Sequence, residues 1–126
     1  MANLKEKGIS LLNSQASVDM KTAGKTTLYT VPAGKTAIIT HVVVRTPSAT
    51  LIGGSDYDFG TGANCDTWKQ TVSLVSLTTA TTDYIVIDQE NTKYTVAAAS
   101  GTFGVKVITG ATDAATATID VFGYIY

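Results

Sequence analysis

The sequence predicts an all-β protein: an antiparallel β-sandwich, jelly-roll-like, with a short N-terminal arm. Three observations predict it. Threonine occurs 22 times among the 126 residues, and its β-branched side chain favours strands while tolerating water. From Ala16 onward, short apolar runs are separated by Gly, Pro, Asn and Asp at the spacing of sandwiches and barrels. No segment beyond the arm keeps a helical apolar repeat over three turns.

The arm comprises residues 1–15, in which Leu4, Lys5, Lys7, Ile9, Leu11 and Leu12 form a pattern too short to decide between helix and strand. The sandwich domain then occupies 16–126, a length that buries about two-thirds of the unfolded chain's surface in one core. Strands are expected near 16–21, 26–31, 36–45, 56–60, 68–77, 83–89, 93–98, 102–109 and 115–126. Between the second and third, Pro32-Ala33-Gly34 reads as a three-residue hairpin loop, with Pro32 pre-setting φ and Gly34 taking the left-handed position. Strand 36–45 is apolar on both faces (Ile38, Thr40, Val42, Val44 against Ala37, Ile39, His41, Val43, Arg45) and is therefore expected to be central.

Two glycine-rich stretches, 46–55 and 61–67, read as surface loops around the short DYDFG segment, where Asp56, Tyr57 and Asp58, with Trp68 nearby, are the candidate recognition residues. The last two strands, joined by GATDA, are expected to form a hairpin. In the final one, Ala117, Ile119, Val121, Gly123 and Ile125 make one row, and Thr118, Asp120, Phe122, Tyr124 and Tyr126 the other. Both rows carry apolar surface. Such a strand needs cover from its own domain on one side and from something else on the other, so Phe122, Tyr124, Ile125 and Tyr126 are the candidate oligomer interface.

Composition narrows the function. The net charge of −1 and pI near 5.6 offer no basic footprint for nucleic acid. No apolar stretch reaches the length of a signal peptide or a membrane helix, so a soluble chain made in the cytoplasm is expected. Only 15% of residues are charged against roughly 25% in an average chain, giving a smooth, neutral exterior suited to packing in an array.

Chemistry finds little support, and the expectation is a non-enzyme without a cofactor. His41 is the sole histidine and lies in mid-strand with no Cys or carboxylate at ligand spacing. Gly-Lys-Thr occurs at 24–26 and 34–36, but the glycine that a phosphate loop needs five positions earlier is Asp19 or Tyr29, and strands rather than helices follow. Asp56, Asp58 and Asp66 lack the remaining ligands of a helix-loop-helix calcium loop, since position 60 is glycine and position 67 threonine. Cys65 is the single cysteine and has no His or Lys beside it in sequence. Tyr57, Phe59 and Trp68 read either as a sugar-stacking set or as the apolar cap of the sandwich.

The run TTLYTVPAGKTAIITHVVV, the segment DYDFGTGANCDTW and the ending FGVKVITGATDAATATIDVFGYIY together resemble small β-sandwich structural proteins of tailed bacteriophage virions, over about residues 22–126. The resemblance implies a virion protein, of the decoration or cement type: a homotrimer that binds the major capsid protein on the assembled shell and stabilises it. It supplies no catalytic, metal or ligand residues. The arm is then the segment expected to reach a capsid neighbour. Two alternatives stand beside it: a tail or fibre module recognising a host glycan, and a non-viral carbohydrate-binding domain.

Overall fold

In a computed structural model of the chain, which describes residues 8–78, 82–90 and 101–126, the protein is all-β, with no helix among those residues. The strands are β1 (Ser10–Asp19), β2 (Gly24–Thr30), β3 (Ala37–Arg45), β4 (Asp56–Thr61), β5 (Lys69–Val72), β6 (Tyr84–Asp88), β7 (Thr102–Thr109) and β8 (Thr116–Ile125). They form two antiparallel four-stranded sheets, β1-β8-β3-β6 and β2-β7-β4-β5. Facing rows fill the space between them: Val18, Ile39, Val42, Val44, Ile87, Ile119 and Val121 from the first sheet, and Leu28, Tyr57, Phe59, Val72, Phe103, Val105 and Val107 from the second.

The expected centrality of strand 36–45 holds, since β3 pairs with β8 on one side and β6 on the other. Its two-face pattern, however, is not a simple alternation. The register shifts between Ile39 and His41, leaving Thr40 as an extra residue. Ala37, Ile39, Val42 and Val44 are thereby buried, while Ile38, His41, Val43 and Arg45 take the outer side. The bulge at Thr40 lets the four consecutive apolar or aromatic positions 41–44 be divided between core and exterior without breaking the strand.

Both expected hairpins are overturned. The turn at Pro32 forms, with Lys35 N–H donating to the Pro32 carbonyl at 3.1 Å and Gly34 at φ 74°, but β2 and β3 belong to different sheets. A local turn signal reverses the chain without specifying which sheet the next strand joins. Likewise β7 and β8 lie in opposite sheets. Their connection is stitched to Met20, which donates to the Ala115 carbonyl and accepts from Ala111 N–H, both at 2.9 Å. Among the described strands only β4 and β5 are sequential neighbours in one sheet.

Two boundaries also differ. Ser10–Gln15, assigned from sequence to the arm, is the first half of β1, held along β8 from Ser10 opposite Gly123 to Gln15 opposite Ile119. Leu12 packs against the core, so neither it nor Leu11 belongs to an arm. The strand expected at 68–77 stops at Val72, after which Leu74 and Leu77 are buried in a turn closed by Leu77 N–H to the Leu74 carbonyl at 3.1 Å. The strand expected at 93–98, and arm residues Leu4, Lys5 and Lys7, lie outside the described residues.

Candidate functional site

The loop aromatics are core. Tyr57, Phe59 and Trp68 are fully buried. Trp68 stands edge-on to Phe103, with centroids 5.4 Å apart, and its Nε1–H donates to the Ile39 carbonyl at 3.1 Å, joining the two sheets. Tyr57 Oη–H donates to the Met20 carbonyl at 2.7 Å, and burial pushes its phenol up to about 12. A ring closed on all sides cannot stack on a sugar, which corrects the expectation that Tyr57 and Trp68 are recognition residues. Period two along β4 put Tyr57 and Phe59 on one face, and it is the inner one.

Asp56 and Asp58 occupy the outer side of β4. Asp58 is buried and accepts the backbone N–H of Thr71 at 2.8 Å, fixing Thr71 in a left-handed conformation at φ 56°. Asp56 Oδ1 is shielded from solvent without a partner. Desolvation, then the charge of Asp58 and a hydrogen bond with it, raise the Asp56 carboxyl above its usual value. Among the described residues no group of three or more His, Cys, Asp or Glu is placed to hold a metal.

The segment after β4 folds back over the outer face of the second sheet. Cys65 is buried there, its thiol pushed up by desolvation despite the positive charges of Lys25 and Lys106, and it donates weakly to the Gly62 carbonyl at 3.6 Å. The close approach requires glycine beneath it: a Cβ at Gly60 would lie 2.6 Å from Thr67 N. Lys25 Nζ donates to the same Gly62 carbonyl at 2.8 Å, and Lys106 Nζ to Asn64 Oδ1 at 3.3 Å. This face is thus covered by the chain's own loop and tied down by lysines.

The outer face of the first sheet is built differently. Cross-strand pairing sets Leu11, Phe122 and His41 in one row over β1, β8 and β3, and the His41 and Phe122 rings stack at 4.5 Å with a 6° interplanar angle. Below it, Asp120, Val43 and Val86 form a second row. Asp120 is the face's buried charge. Its Oδ2 accepts from Arg45 Nε at 2.7 Å and its Oδ1 from Ser14 Oγ at 2.5 Å. Desolvation pushes that carboxyl up, but the hydrogen bonds from Arg45 and Ser14 and the charge of Arg45 outweigh it, so it sits below its ordinary value. Toward the end of β8, Tyr124 and Tyr126 lie with centroids 6.1 Å apart. Of the four interface residues expected from sequence, Phe122, Tyr124 and Tyr126 are on or beside this face, whereas Ile125 turns inward against the core opposite Ala37.

Shallow grooves run along both open sides of the sandwich. One, about 330 Å³, lies between β1 and β2 and is lined by Leu12, Asn13, Gln15 and Tyr29. The other, about 390 Å³, lies between β5 and β6 and is lined by Val72, Ile85, Ile87 and Lys69. Neither holds a convergent set of catalytic groups. No described helix is long and apolar enough to cross a membrane. The chain matches no protein-family model, no curated protein and no solved structure.

Proposed function

We propose that the protein is a structural component of a tailed-phage virion, a capsid decoration protein that binds the assembled shell as a homotrimer and stabilises it. The observation carrying this is the outer face of the first sheet, where the terminal strand presents Phe122 and Tyr124 to the exterior while its alternate residues Ile119 and Val121 fill the core. The strand order adds support. The order of the eight described strands, β1-β8-β3-β6 against β2-β7-β4-β5, supports reading the sandwich as a jelly roll, an architecture recurrent in viral capsid proteins. The resemblance in TTLYTVPAGKTAIITHVVV and the terminal segment points the same way.

Fold alone selects no function, because sandwiches host many. The glycan alternatives lose their main support with Tyr57 and Trp68 enclosed in the core. A decoration role also suits the energetics: a small domain contributes a modest area per capsid contact, and several copies in one trimer turn weak single contacts into a lasting attachment.

The test is to mix purified chain with shells of the encoding phage that lack it, then image the particles and measure their thermal rupture. A regular lattice of knobs together with a raised rupture temperature is the expected result. Label confined to the tail, or no binding, overturns the proposal. Deleting residues 2–9, which leaves β1 whole, is expected to lower occupancy; unchanged occupancy removes the arm from the capsid contact.

A further inference from the structure

We infer that copies of this chain associate through the outer face of the β1-β8-β3-β6 sheet as a whole, with the Leu11–Phe122–His41 row at its centre and Tyr84 and Val86 at its β6 margin. This deepens the assembly proposed above and rests on it.

The two sheets differ in how their outer faces are finished. The second sheet's is roofed by residues 62–67 of the same chain and carries Lys25, Lys106 and Asp58, each bonded within the molecule. No described segment roofs the first sheet, yet large apolar side chains stand on it in the open: Leu11 is 51% exposed, Val86 52% and Tyr84 66%. Hydrophobic side chains at such density on a regular surface are removed from water by something.

Charge identifies the occupant. The face's central ions, Arg45 and Asp120, satisfy each other at 2.7 Å, and Ser14 completes the carboxylate. Apart from Asp88, exposed at the β6 margin across from His41, the described residues of the face offer a strongly charged partner no unpaired ion, and a second copy brings an equally apolar centre without like-charge repulsion there. Area agrees. Four strands spaced about 4.8 Å apart, each offering about eight residues at about 3.4 Å, span about 500 Å² in projection. Two such faces bury about 1,000 Å² together, just at the threshold for a specific interface, so association is reversible and concentration-dependent. Full face-to-face contact gives a two-fold pair, whereas the trimer proposed above needs each face to meet its neighbour's around an axis with less of it covered per contact, and the sedimenting mass tells the two apart.

The experiment is sedimentation velocity on the full chain from low micromolar to several hundred micromolar, without particles, for the wild type and three lysine variants. Leu11→Lys on β1 and Val86→Lys on β6 place a charge at two separate points of the face, at positions exposed enough to leave folding intact. Ile108→Lys, at a 44% exposed position on the outer face of the second sheet, is the control. The expected result is self-association of the wild type and of Ile108→Lys alike, with each face variant needing at least tenfold higher concentration. A wild type that stays monomeric, face variants that associate normally, or a control weakened as much as they are overturns the inference. Self-association through this face by a chain that never binds shells leaves the inference standing and overturns only the decoration role. A strictly monomeric chain that decorates shells does the reverse.

Discussion

Replacing Trp68 by phenylalanine separates a core tryptophan from a ligand-stacking one. The indole is enclosed by Phe59 and Phe103, at centroid distances of 6.4 and 5.4 Å, and bonded to the Ile39 carbonyl of the opposite sheet. Phenylalanine leaves a void of about 40 Å³, worth about 1 kcal/mol at the cost per volume measured for core cavities. It also removes the indole N–H that donates to that carbonyl, adding about 1–3 kcal/mol. The expected loss is about 2–4 kcal/mol. With an unfolding entropy of about 0.26 kcal/mol/K for a chain of this length, Tm falls by about 8–15 °C. Calorimetry measures that drop, and since Trp68 is the single tryptophan, its fluorescence gives a direct check of burial. A melting temperature changed by less than about 2 °C, together with emission like that of free indole and ready quenching by acrylamide, refutes the enclosed position.

Three further outcomes follow from local geometry. Gly123→Ala places a Cβ 2.1 Å from the Ile38 carbonyl oxygen and 3.1 Å from Ile39 Cα, in backbone that cannot step aside, so thermal unfolding should move down by an amount corresponding to about 1–3 kcal/mol. Asp120→Asn should cost about 1–2 kcal/mol at neutral pH, less than a fully buried pair loses because Arg45 is partly solvated; as the native carboxyl is held below its ordinary value, the deficit should shrink in denaturant titrations as pH falls from about 4 and the wild type loses the same contribution. Asp56→Asn should raise the melting temperature at neutral pH: the folded state binds the Asp56 proton more tightly than the unfolded chain, so the wild type loses stability as pH rises through that carboxyl's titration, and the advantage should vanish in acid.

The terminal strand was the most legible part of the sequence, for a physical reason. β8 runs from Thr116 to Ile125 with no irregularity of its own, so period two sorted Ala117, Ile119 and Val121 from Thr118, Phe122 and Tyr124 correctly. The same rule failed on β3, where it placed His41 with Ile39. The extra residue at Thr40 reverses the phase, and a bulge leaves no mark in an alternation of Ile, Thr, His and Val. Turn chemistry was legible at Pro32–Gly34, but the sheet membership of the strands it joins was not. That depends on which long-range partner each strand finds, and for β7 and β8 the stitching residue is Met20, some ninety positions away from the loop it holds. Tyr57 and Trp68 were misplaced because a loop-rich neighbourhood looks exposed in sequence, whereas the glycines at 54 and 60 let the backbone close over them. A Cβ at Gly54 would stand 2.4 Å from Tyr57 Oη.

The bulge at Thr40 also bears on which side chains furnish the exposed face. Without the extra residue at Thr40, a strict alternation continuing from Ile39 would turn His41 and Val43 inward and Val42 and Val44 outward, so a comparable number of β-branched residues would face the exterior in either phase. What the bulge decides is which side chain lies opposite Phe122. It brings His41, rather than Thr40, across from Phe122 and leaves the Thr40 hydroxyl to donate to the Phe122 carbonyl at 3.2 Å. On β3 the core is filled by Ala37, Ile39, Val42 and Val44, and the stack of His41 on Phe122 lies outside the space between the sheets. As a cross-strand pair the stack ties β3 to β8 whatever covers it, so its flat outer surface serves the proposed contact in addition to a role in the sheet, and substitutions that keep the pairing but remove the ring separate the two.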